Sequence, residues 1–106
     1  MKYTLFIDDE RIPSQSEQGN IIIIARSSYA AIQVVQTLGM PSKICFDHDL
    51  GGEDTSIVFI NWLNDYVIDT DHRQTIVYDV HSQNPIGEKN IRSKIDQLNR
   101  YITSIE

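Results

Sequence analysis

The chain has 106 residues and a formal net charge of -6, enough for one domain around a single modest core. Apolar residues at 41% and charged residues at 23% are the fractions of an ordinary soluble globular protein. The acidic balance excludes sequence-independent binding to duplex DNA, where Lys and Arg supply most of the affinity.

No apolar run approaches the roughly 20 residues that cross a bilayer, so no membrane partner is expected. The one cysteine, Cys45, rules out an intrachain disulfide and reads as a buried strand thiol. Met1-Lys2-Tyr3 enters a strand at once. The expectation is a cytoplasmic protein with no signal peptide.

In chain order, Tyr3 to Ile7 reads as a central strand, apolar almost without alternation. Asp8-Asp9-Glu10 follows it. The connection from Arg11 to Asn20 has no helical periodicity and is punctuated by Pro13 and Gly19, so its helix is absent or reduced to a turn. Ile21 to Ala25 is a second strand, since four β-branched residues in a row suit a sheet. Ser27 or Ser28 caps a helix with Ala31, Ile32, Val35 and Leu38 on its inward face, and Gly39 and Pro41 stop it.

Lys43 to Asp47 is the third strand. Asp54 or Thr55 caps a second helix with Ile57, Ile60, Leu63 and Val67 inward and Trp62 at the margin. Thr75 to Tyr78 is the fourth strand. Asn84 at the cap and Pro85 at the first helical position start a last helix, whose stripe is Ile91, Ile95, Leu98, Ile102 and Ile105. No internal repeat or linker interrupts the chain. Right-handed crossovers then predict an α/β protein with a parallel four-stranded sheet in spatial order 2-1-3-4. The fourth strand is left at an edge, to be covered by the last helix, by a loop, or by a second subunit in a homodimer.

Three of these strands end on polar residues. The first runs into Asp8-Asp9-Glu10, the third into Asp47-His48-Asp49, and the fourth leads to His81-Ser82. Polar strand ends flanking the point where strand order reverses define a ligand crevice. Asp8, Asp9, Asp47 and Asp49 make an oxygen-rich group suited to Mg²⁺ or Mn²⁺. Alternatively they cap helices or face solvent. Alternation along an extended segment puts Asp47 and Asp49 on one side and His48 on the other, as a structural residue. His48 and His81 are also the acid–base pair available at the crevice. Ser82 and Asn84 either receive an anion at the last helix's N-terminus or simply cap it. Arg11 either meets a phosphate or neutralises Glu10. Gly51 and Gly52 give a ligand room or make a turn.

The acidic pair, Asp47 and Ser82 fall where a response-regulator receiver domain has its acidic pair, its Asp and its Ser or Thr. Three motifs together, Leu5-Phe6-Ile7-Asp8-Asp9-Glu10-Arg11, Phe46-Asp47-His48-Asp49-Leu50-Gly51 and His81-Ser82-Gln83-Asn84-Pro85-Ile86-Gly87, resemble a narrower group, the cyclic-phosphate processing receiver domains. The resemblance runs from Leu5 to about Ile91. It implies a receiver-like, flavodoxin-like three-layer fold, here without the fifth strand and with a reduced first helix. It also implies phosphoesterase chemistry on a cyclic phosphate, on a nucleotide or at an RNA end. Asp8, Asp9 and Asp47 would hold the metal, His48, His81 and Asp49 would be catalytic, and Arg11, Ser82 and Asn84 would bind substrate. The alternative is a non-catalytic module that binds a protein partner through the acidic crevice or the edge strand. A phospho-accepting receiver ranks last, because the chain ends where the receiver's fifth strand and its Lys would come.

Overall fold

A computed structural model describes residues 2–13 and 21–105. The stretch Ser14 to Asn20, in which a reduced first helix was expected, lies outside the described residues.

The elements are β1 (Thr4–Ile7), β2 (Ile22–Ala25), α1 (Ser28–Leu38), β3 (Lys43–Phe46), α2 (Ser56–Asp69), β4 (Tyr78–Val80) and α3 (Pro85–Ser104). The four strands form one sheet in the order β2-β1-β3-β4, with every neighbouring pair parallel, as the sequence predicts. β1 is buried along its whole length, which is why it reads as an unbroken apolar run.

The helix ends follow local chemistry. Ser27 caps α1 by accepting from the Ala30 amide, and Gly39 stops that helix at φ 84°. Asn84 caps α3 by accepting from the Gly87 amide, and Pro85 opens it. Thr55 precedes α2 but makes no side-chain cap bond. Asp54 is used elsewhere. It accepts from the Ser28 amide at 2.8 Å and from the Ser28 hydroxyl at 2.5 Å, tying the loop before α2 to the start of α1.

The described helices pack side by side. α1 packs on α2, and α2 packs on α3. The core joins Ala31 and Val35 of α1, Phe59, Ile60, Leu63 and Val67 of α2, and Ile91, Ile95, Leu98 and Ile102 of α3 to Leu5, Ile7, Ile44, Phe46 and Val80 of the sheet. The three helices among the described residues therefore cover one face. Crossovers β2 to β3 and β3 to β4 advance across the sheet in one direction, so a constant hand places both helices on the same side. On the opposite face of the sheet Phe6 and Cys45 are buried outside the main core, in a hollow that Arg11, Ile12 and Pro13 also line.

Three further expectations are corrected. β4 is Tyr78–Val80, not Thr75 to Tyr78. Leu38 is exposed, because α1 buries only Ser28, Ala31 and Val35. The buried face of α2 is Ser56, Phe59, Ile60, Leu63 and Val67, so it is centred nearer Phe59 than Ile57.

The β4 edge is covered by α3. The Asn99 side chain accepts from the Ile76 amide at 2.7 Å and donates to the Ile76 carbonyl at 3.0 Å, as a neighbouring strand would. The Tyr78 hydroxyl donates to Asp96 at 2.6 Å. No helix among the described residues is long and apolar enough to cross a membrane.

Candidate functional site

Strand register decides which side chains meet. Ile7 pairs with Phe46, and Phe46 with Val80. The residue after each is Asp8, Asp47 or His81, and each still joins the ladder. The amide of Asp8 donates to Ala25, that of Asp47 to Ile7 and that of His81 to Phe46, at 3.1, 3.0 and 2.9 Å. Three residues far apart in sequence thus stand side by side at the carboxyl end of the sheet.

Asp8, Asp9 and Asp47 each offer a carboxylate oxygen within 4.8 Å of the other two. The Asp8 side chain is 1% exposed. Its Oδ1 accepts from the amides of Glu10 and Arg11 at 3.0 and 2.9 Å, and its Oδ2 lies 3.1 Å from His81 Nε2. Burial alone would raise the Asp8 pKa, but these amides and His81 outweigh it and hold the carboxyl below its usual range. Asp8 and His81 thus form a close polar pair.

Asp47 moves the other way, pushed up by burial and then by the Asp8 charge. Two carboxylates that resist joint ionisation in one pocket form a donor set that a divalent cation would relieve. By its chemistry the group fits Mg²⁺ or Mn²⁺.

His81 is held twice, by Asp8 and by its ring stacked on Phe6 with centroids 5.1 Å apart. Arg11 stands at the same mouth. Its Nε is 3.9 Å from Asp8 Oδ2 and its Nη1 donates to the His81 carbonyl at 3.5 Å. Gly51 and Gly52 take positive φ values of 91° and 57° and turn the loop beside Asp9.

His48 and Asp49 fall outside the carboxylate group. His48 Nδ1 lies 3.0 Å from Asp49 Oδ1, with side chains 13% and 66% exposed respectively. The His48 ring packs against Gly87 in the first turn of α3. The His48 imidazole is thus turned against α3 and paired with Asp49, while His81 sits against Asp8 and Phe6. Ser82 accepts from the Asn84 amide at 3.1 Å and Asn84 from the Gly87 amide at 3.0 Å, so both are engaged in capping.

Two supporting residues escape a reading of the sequence. Arg26 Nη1 donates to the carbonyls of Asp8 and Arg11 at 3.2 and 2.7 Å, clamping the turn that carries the acidic pair. Buried Ser56 donates its hydroxyl to the Asp47 carbonyl. Neither stands out in sequence, because Arg26 reads as a strand end and Ser56 as an ordinary first helical residue.

The family model of the cyclic-phosphate processing receiver domain matches residues 3–97. The chain belongs to that family. The receiver match takes in every strand, β1 to β4, and all the candidate site residues. No curated protein shows a significant match. Among solved structures, this receiver domain is similar to one described as the yeast Spc42 trimeric coiled coil, amino acids 181–211, in a fusion. The identity is 16%, the match covers 97% of this chain and 82% of that one, and the TM-score is 0.58. At that identity the likeness speaks to fold alone.

Proposed function

We propose that this receiver domain is a divalent-metal-dependent phosphoesterase that opens a cyclic phosphate on a nucleotide or at an RNA terminus. The observation that carries the reading is the side-by-side placement of Asp8, Asp9, Asp47 and His81 at the strand ends.

Asp8, Asp9 and Asp47 would hold Mg²⁺ or Mn²⁺. When bound, the ion supplies positive charge against the charge that builds on phosphate oxygens. Hydrolysis joins a water oxygen to phosphorus and breaks one ring P–O bond, and a net proton passes from the water to the released hydroxyl. His81 is the residue suited to carry that proton, because its imidazole forms a close polar pair with Asp8 at the carboxylate group. Arg11 at the mouth would pair with a phosphate oxygen. His48 and Asp49 support the loop after β3 rather than the proton transfer, and Ser82 and Asn84 set the start of α3.

The test is incubation of the pure protein with Mg²⁺ or Mn²⁺ and a panel of cyclic nucleotides and cyclic-phosphate RNA ends. Metal-dependent ring opening that His81→Ala abolishes supports the proposal. No product across the panel, in protein whose melting temperature responds to metal, overturns it in favour of a non-catalytic interaction module.

A further inference from the structure

The face of the sheet opposite α1, α2 and α3 holds a cavity of about 300 Å³. Among the described residues its lining includes Phe6, Arg11, Ile22, Cys45, Asp79 and His81. It adjoins the carboxylate group through His81 and Arg11. His81 contributes to the cavity wall, stacks on Phe6 and touches Asp8 through Nε2.

We propose that this cavity is a nucleobase subsite, selective for bases with an exocyclic amine: adenine, cytosine or guanine. The inference rests on the function proposed above and names the substrate class of that same site. Its size lies at the lower end of small-ligand pockets, about 300–1,000 Å³. That admits one base with its ribose and leaves no room for a second nucleotide. Phe6, Ile22 and Cys45 give the wall an apolar patch, as the faces of a base require. Thr4, Arg11, Asp79 and His81 supply its polar part. Arg11, beside Asp8, serves the phosphate, and Asp79 serves the base.

Asp79 sets the selectivity. Its Oδ1 is fixed by the Val80 amide at 2.9 Å. A carboxylate accepts from N–H groups and repels carbonyl oxygens. An exocyclic amine meets that need, as when Asp or Glu accepts from cytosine N4. Uracil offers one N–H flanked by two carbonyls and is disfavoured.

The experiment uses unphosphorylated nucleosides without metal, so it does not depend on the carboxylate chemistry. Cytidine and uridine are titrated into the labelled protein, and amide shifts are followed by NMR. Alkylation of Cys45 by iodoacetamide is timed in parallel. Cytidine should move the amides of Phe6, Cys45, Asp79 and His81 and slow alkylation. Uridine should bind about tenfold more weakly, the difference one hydrogen-bonding group commonly makes. Asp79→Asn should narrow that gap, and Asp79→Ala, a second exposed-site variant, should do the same. Cytidine that leaves these amides unmoved at millimolar concentration overturns the subsite, even if cyclic phosphates are turned over. Equal binding of the two nucleosides overturns the selectivity. Cytidine selectivity without turnover upholds the subsite and sinks the catalytic reading alone.

Discussion

Asp8 Oδ2 and His81 Nε2 meet at 3.1 Å across 73 residues of sequence. The contact follows from parallel register, since each residue stands one place beyond a paired strand end. His81→Ala should therefore remove the proton carrier while leaving the carboxylates in place. The expected loss in kcat is about 10²–10⁴-fold, the usual worth of a positioned acid–base group. The stabilisation by metal should persist in that variant, as a thermal melt with and without Mg²⁺ would show.

Asp47 governs a pH and metal dependence. Burial and then the Asp8 charge raise its pKa, so the folded state binds its proton more tightly than the unfolded state does. Its contribution is full below the unfolded value and is lost as pH rises through the raised folded value. In chelated protein at neutral pH, Asp47→Asn should raise stability by about 1 kcal/mol, seen as a melting-temperature rise of about 4–8 °C. The advantage should shrink in acid. Millimolar Mg²⁺ should stabilise the wild type and not Asp47→Asn, because only a ligand that binds the folded state shifts the melt.

Gly87 carries a steric requirement. A Cβ there would stand 2.4 Å from His48 Cγ. Alanine gains about 1 kcal/mol in helix propensity, but overpacking costs about 1–3 kcal/mol. The clash involves ring atoms held at the loop, so Gly87→Ala should destabilise. His48→Ala combined with Gly87→Ala should recover much of the loss. Denaturant midpoints for the two single variants and the double variant would measure the coupling.

Asn99 replaces a strand. Asn99→Ala leaves the Ile76 amide and carbonyl without their partners, at a cost of about 1–3 kcal/mol. It also opens a sheet edge next to Val77, which is 58% exposed. Sedimentation should show concentration-dependent self-association absent from the wild type.

Strand order and helix identity were legible because periodicity and punctuation agreed along most of the chain. The apolar run at β1 and the Asn84-Pro85 start of α3 are examples. β4 was misplaced for a tertiary reason. Ile76 looks like strand but gives its backbone to Asn99, while Asp79, a poor strand former, sits inside β4. The Asp8–Asp47–His81 grouping could be anticipated from polar strand ends. The fate of His48 could not, since it depends on an absent side chain at Gly87. Asp54 read as a cap for the helix after it and serves the one before. That α1 and α2 share one face was implicit in the direction of the crossovers.

That one-sided packing gives alternate residues of the same strand separate duties. Leu5, Ile7, Ile44 and Phe46 are bound to the helices, and changing them spends stability. Their neighbours Thr4, Phe6, Cys45 and Asp79 line the opposite hollow. Evolution or an engineer can therefore retune what the hollow admits one strand position at a time, with the residues that hold the helices unchanged.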